Sequence, residues 1–235
     1  VIFAPGKATF YPEFIPDDWQ ETKKLNNYEY SVELCKKLDI DYIDLNAWFL
    51  KLKNITPYDL YPKTGIHWSN YGALISFDTL TRHLENRSKL NLKNFNIANI
   101  AFSNDLIAPD DDIGIAMNLF KDVQPLPMPY AKYEWTEDST FVKPNALFIG
   151  DSYFWNLYYE GLINNVFNEA KFWYYNQTVY PESEPQREVN KLNLIEEIKK
   201  QKIVAIMATD CNIHDFGWNF IEQAHNALKT EMRNV

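Results

Sequence analysis

A three-layer α/β fold, with helices on both faces of a mostly parallel five-stranded sheet, is what this sequence predicts. Two observations predict it. Short apolar runs bounded by turn residues recur without polar alternation, the pattern of strands covered on both faces. Between them lie stretches with apolar residues at three- and four-residue spacing, so strand and helix alternate as in βαβ units.

Taken in order, "VIFA" (1–4) is the first strand, and residues 18–38, rich in Glu, Lys and Leu, form the first helix. "DYIDL" (41–45) is a second strand, and residues 68–86 carry a helical apolar spacing. The rhythm then breaks over 87–143. "NRSKLNLKNFNIANI" is polar with scattered apolar residues, "APDDDIG" is acidic and "QPLPMPY" is punctuated by proline. These features mark an insertion between two halves of the sheet, with a short helix near 113–121. "ALFIG" (146–150), "KFWYY" (171–175) and "KIVAIMA" (202–208) complete the strands, with helices over 153–168, 188–201 and 216–231. The expected organisation is a single domain over 1–235. Because Val1 is not a start methionine and "VIFAP" reads as a strand already under way, a fragment lacking its N-terminal targeting region is expected.

Composition narrows the function classes. A net charge of −9 argues against nucleic acid as a partner, which needs a surplus of lysine and arginine. No apolar run approaches membrane-spanning length, so no stable membrane insertion is expected of this segment. Cys35 and Cys211 match no metal-ligand spacing and could pair only if the fold brings them close. Aromatic residues make up 16% of the chain. They either line a sugar or peptide groove or fill a large core.

Two motifs can carry chemistry. In "LFIGDSYFWN" (147–156) a strand ends at Gly150, Asp151 and Ser152 follow, and a helix begins. Ser152 therefore sits at the carboxyl edge of a parallel sheet, where open α/β folds bind ligands. It is a candidate nucleophile or a plain helix cap. A serine nucleophile needs a base, and "TGIHWSNYG" (64–72) places His67 at the same edge. His83 and His225 fall inside helices as surface or packing residues; His214 lies past a strand end but in a weaker context. The Asp110–Asp112 run reads as a helix cap or solvated loop, with cation binding as the alternative. Lys7 and Tyr11, just past the first strand, reach the same edge and could touch a ligand or simply be solvated. Of Trp68, Trp155, Trp173, Tyr174 and Tyr175, most are expected in the core, because alternate strand residues face opposite sides.

"GDSY" together with "HWSNYG" resembles the SGNH (GDSL-type) hydrolase superfamily and, within it, the AlgX/AlgJ-like alginate O-acetyltransferase branch. "APGKATFYPEFIP" (4–16) is similar to the opening segment of that branch. The resemblance implies an SGNH-hydrolase-like fold, circularly permuted: reading from 146–150 through 171–175 and 202–208, then 1–4 and 41–45, restores the superfamily order. It implies Ser152 as nucleophile and His67 as base. It points to Asn212 as an oxyanion donor, with Asn176 second and with Asp151 and Asp210 in supporting positions. Lys7, Tyr11 and Trp68 become candidates for substrate binding. The implied activity is that of a carbohydrate O-acetyl esterase or O-acetyltransferase on an extracytoplasmic, for instance periplasmic, polysaccharide. Its partners would be a carbohydrate or acetylated small molecule and, for a transferase, an acetyl-donor protein; no metal or organic cofactor is implied.

One departure matters. The family's acid stands two or three residues before the histidine, where this chain has Gly65 and Thr64. A backbone carbonyl could orient His67 instead, or a distant acid such as Asp44, Asp151 or Asp210 could substitute. The third alternative is a weak or inactive polysaccharide-binding or assembly protein that keeps the fold.

Overall fold

The computed structural model describes residues 1–19, 25–121, 123–124 and 126–233. In chain order the elements are β1 (Ile2–Ala4), α1 (Lys7–Phe10), α2 (Asn27–Lys37), β2 (Ile43–Asp44), α3 (Leu45–Leu52) and α4 (Asn70–Ser88). Then come β3 (Phe95–Ser103), α5 (Asp112–Ala116), β4 (Met128–Trp135), β5 (Asn145–Gly150), α6 (Phe154–Tyr159) and α7 (Leu162–Val166). The chain closes with β6 (Asn168–Tyr174), β7 (Thr178–Tyr180), α8 (Leu194–Lys199), β8 (Ile203–Thr209) and α9 (Phe220–Arg233).

The main sheet runs β2-β1-β8-β5-β6-β7. Its first five strands pair in parallel and β7 pairs antiparallel with β6. Counted from β5, the five parallel strands take the order 2-1-3-4-5, one of the common doubly wound arrangements. The order reverses between β5 and β8, and that reversal opens the crevice where such sheets bind ligands. Period-two alternation divides the strands between two layers. Ala146 and Phe148 face a core shared with α3, α4, α6 and α7, while Leu147 and Ile149 face one shared with α8 and α9. Phe3 and Ala208 pack with α2 through Val32 and Cys35. Both cysteines are free. Among the described residues no helix is long and apolar enough to cross a membrane.

Several details differ from expectation for local reasons. The sheet has a sixth strand, β7, only three residues long and set among polar residues. The expected helix over 18–38 is helical as α2 from Asn27, where Asn26 and Glu29 form a reciprocal capping box; residues 20–24 lie outside the described residues. The expected helix over 153–168 is two helices, because Gly161 takes φ +69 between α6 and α7. α3 was not expected; the Asp44 side chain caps it by accepting from the Ala47 N–H at 2.8 Å. Within 87–143, β3 and β4 form an antiparallel ribbon whose β4 side lies on α4. The short helix there is α5, at 112–116.

Candidate active site

The switch point is pinned by one buried carboxylate. Asp151, at the end of β5, accepts at Oδ2 from the Thr209 N–H (2.8 Å), the Thr209 hydroxyl (2.8 Å) and the Asn212 amide (2.9 Å). Its Oδ1 accepts from the Tyr153 N–H at 3.1 Å. The two strand ends that flank the crevice are thereby locked together, and an ion this deep is tolerated only with such a full set of donors. Ser152 stands between Asp151 and Tyr153 on the turn this network fixes.

The loop bearing His67 is gripped from several sides. From below, the Lys7 ammonium donates to the carbonyls of Pro62 (2.6 Å), Lys63 (3.1 Å) and Gly65 (2.6 Å). From the nucleophile's own turn, the Tyr153 hydroxyl donates to the Ile66 carbonyl at 2.5 Å, and its ring lies 5.0 Å from the His67 ring. From the 87–143 segment, the Gly114 N–H donates to the Thr64 carbonyl at 2.9 Å. Gly65 is required here for close approach, since a Cβ would stand 2.7 Å from the Asp110 carbonyl oxygen.

This clamp brings three side chains into one line. His67 Nε2 lies 3.0 Å from Ser152 Oγ, and His67 Nδ1 lies 2.6 Å from Asp112 Oδ2. Asp112 Oδ1 meanwhile accepts from the N–H groups of Ile66 and Ile113, each at 2.8 Å. Burial pushes the Asp112 carboxyl up, but the hydrogen bonds from His67, Ile66 and Ile113 outweigh it and hold the acid below its ordinary range. An ionised carboxylate only accepts, so Nδ1 carries the hydrogen and Nε2 is left to accept from the serine hydroxyl. The arrangement has the order and spacing of a Ser–His–Asp relay.

The acid is therefore not among Asp44, Asp151 and Asp210. Asp44 caps α3 and accepts from the Tyr28 hydroxyl. Asp210 accepts from the Thr9 hydroxyl and packs against Gly6. Nor is the Asp110–Asp112 run a solvated loop. Asp112 heads α5 and meets the imidazole, and Asp110 is 2% exposed beneath the Tyr130 hydroxyl, which donates to it at 2.7 Å. Among the described residues no group of three or more His, Cys, Asp or Glu could hold a metal ion.

Burial is the largest influence on Asp110, with Asp112 and Glu160 adding to it and Tyr130 and His67 opposing it; its carboxyl is pushed up to about 6. The unfolded chain ionises this group near pH 4. The stability it lends is present below that point and is lost as pH rises through about 6, a change of about 2–3 kcal/mol. Asp110→Asn keeps an acceptor for Tyr130 and cannot ionise, so its unfolding free energy should lack that decline. Denaturant titrations across pH 4–7 check this; identical slopes for both proteins would contradict it.

Other expected site residues fall elsewhere. Asn212 Nδ2 donates to Asp151 and, at 3.2 Å, to the Thr209 hydroxyl, which makes it a support of the crevice and not a free oxyanion donor. Asn176 turns toward α9, donating to the Trp218 carbonyl (2.9 Å) and to Gln223 (3.1 Å). Trp68 is wholly buried between Phe49 and Tyr153. Tyr11 packs among Phe10, Phe14 and Tyr61 under the Lys53 ammonium. With Lys7 committed to three carbonyls, the substrate-binding set expected from sequence does not line the cavity.

That cavity, of about 260 Å³, opens at Ser152 and His67. Trp155, Asn156 and Tyr159 of α6 and Glu160 just past its end form one wall, and Ala108 and Pro109 form the other. Tyr175 is one of the five strand-end aromatics of which most were expected in the core, and its hydroxyl interacts with Ser152. Burial pushes that phenol up to about 12, so it stays a protonated donor. It sits in the β6–β7 turn with φ +49, a conformation costly for a residue with a Cβ.

A doubly wound sheet with this relay at its switch point defines an SGNH-hydrolase-like domain. The chain belongs to the family described as SGNH hydrolase-like domain, acetyltransferase AlgX, whose model matches residues 1–158 of 235. Among solved structures it is similar to the O-acetyltransferase domain of Pseudomonas putida AlgJ, at 16% identity and a TM-score of 0.57, over 96% of this chain and 81% of that one. It is also similar to Bacillus cereus PatB1 at 13% identity and a TM-score of 0.55, covering 90% and 82%. Pseudomonas aeruginosa AlgX aligns at 12% identity and a TM-score of 0.52, over 88% of this chain but only 51% of its own. No curated protein sequence matches the chain.

Proposed function

We propose that this chain transfers acetyl groups on a polysaccharide outside the cytoplasm, through an acetyl–serine intermediate. The observation that carries the reading is the continuous relay from Asp112 through His67 to Ser152, at 2.6 and 3.0 Å. Membership of an acetyltransferase family and the fold it shares with AlgJ support the choice of acyl group.

Ser152 Oγ attacks the acetyl carbonyl while its proton passes to His67 Nε2. Asp112 stabilises the resulting imidazolium through Nδ1–H. In this reading the Ser152 N–H and the Tyr175 hydroxyl donate to the oxyanion, since the Asn212 amide is engaged with Asp151 and Thr209. The tetrahedral intermediate collapses, and the leaving oxygen takes the proton from His67. A sugar hydroxyl, or water in the esterase variant, then loses its proton to His67 and attacks the acetyl–serine ester; the bond to Ser152 Oγ breaks and the serine recovers its proton from His67. The acetyl group would arrive on a donor protein or a small ester. The alternative of an inert binding protein rests on the lack of an acid at Thr64 and Gly65; Asp112 at His67 Nδ1 supports the catalytic reading instead.

A fluorophosphonate probe tests the reading, since it labels only a serine activated by its base. Stoichiometric labelling at Ser152, lost in His67→Ala, is expected. Absence of labelling in the folded wild-type protein would leave a binding role.

A further inference from the structure

We propose that the acceptor glycan carries no carboxylates: a neutral or amino-bearing polysaccharide, read by Trp155, Tyr159 and Glu160. This rests on the acetyl-transfer reading above and deepens it.

The first observation is the charge of the walls. The cavity at Ser152 contains Glu160 and, among the described residues, neither lysine nor arginine. On the far side of Ala108 and Pro109 a second cavity, of about 620 Å³, contains Asp111 and Asp112 and likewise no cationic side chain. Lys7, which the sequence places at this edge, is held under the loop by three backbone carbonyls and is not free to clamp a carboxylate. Glu160 is not a loose surface acid. Its Oε1 accepts from the Asn70 amide at 2.8 Å, and Asn70 Oδ1 accepts from the Ala131 N–H of β4 at 2.9 Å, so the ribbon fixes the carboxylate at the cavity rim. A polyuronate entering here would bring one negative charge per sugar against fixed carboxylates, with no lysine or arginine among the described lining residues to offset them. Like charges juxtaposed in a partly desolvated cleft are strongly discriminating.

The second observation is a sugar-sized aromatic platform on α6, the helix that follows the nucleophile's turn. Trp155 and Tyr159, four residues apart, stack at 5.1 Å and 19°, and Tyr159 is 73% exposed. The Trp155 ring is braced from behind by Phe172, Tyr174 and Tyr180. A rigid, half-open pair of this kind suits the apolar face of a pyranose ring, whereas its surroundings suit hydroxyl or ammonium groups.

The test uses Ser152→Ala protein, which binds without turnover, and calorimetric titration with three sets of oligosaccharides matched in length: β-glucan, glucosamine and mannuronate oligomers. Expected is binding of the glucan and glucosamine sets at least about tenfold tighter than the uronate set, with Trp155→Ala weakening both. Glu160→Lys should narrow or reverse the gap between glucosamine and uronate. Equal or tighter uronate binding, or no binding of any set, overturns the inference. Ser152-dependent hydrolysis of p-nitrophenyl acetate by the wild-type protein reports separately on the acetyl-transfer reading, so the two can fail independently.

Discussion

Ser152→Ala is expected to lower acetyl-ester turnover by about 10⁶-fold, the scale on which loss of the nucleophile acts in serine hydrolases. The other members of the relay cannot act without it, so removing His67 as well should cost little more. The fold should survive, because the Ser152 hydroxyl's partners, His67 and Tyr175, both belong to the site itself. Asp151 and Tyr153 hold the turn from either side without using that hydroxyl. A melting temperature near that of wild type together with abolished turnover is therefore the signature. Steady-state hydrolysis of p-nitrophenyl acetate and thermal unfolding check it, and activity retained within tenfold would exclude Ser152 as nucleophile.

Asp112→Asn is expected to lower kcat by about 10⁴-fold with little change in stability. The reason is a matter of protons. If the amide oxygen keeps the Ile66 N–H, the NH₂ group faces His67 Nδ1 and favours the tautomer with hydrogen on Nε2. That hydrogen points at Ser152, and the imidazole can no longer take the hydroxyl proton. The loss should therefore fall on kcat and leave binding of the glycan almost unchanged. Asp44→Asn is the matching control: Asp44 caps α3, asparagine caps as well as aspartate, and so stability and activity should both change little.

These two residues also show what could be read in advance. Ser152 was legible because an apolar strand, a Gly-Asp-Ser turn and a helix follow one another locally, and His67 because its loop precedes a capped helix. The sheet was legible because buried strands are continuous apolar runs. Asp112 was not. Three consecutive aspartates before "IGIA" look the same whether they cap a short helix or meet an imidazole 45 positions away. Only the approach of Gly65 to the Asp110 backbone and of Gly114 to Thr64 decides between them. Lys7 and Trp68 were placed at the correct sheet edge, but packing sends their side chains away from the cavity. The ribbon β3–β4 was missed because its β3 strand buries few of its residues and its turn region is proline-rich and acidic. The bend that splits α6 from α7 rests on a single glycine conformation, which pattern alone does not reveal.

The central claim is that an acid supplied by the 87–143 segment completes the relay. The most direct measurement is the mass of the Ser152 peptide after brief exposure to p-nitrophenyl acetate at neutral pH. We predict one acetyl group on Ser152 in wild-type and Asp44→Asn protein, formed in a burst, and none on that timescale in Asp112→Asn. Acetylation of Asp112→Asn at the wild-type rate, or an acetyl group carried on a different residue, would contradict the account.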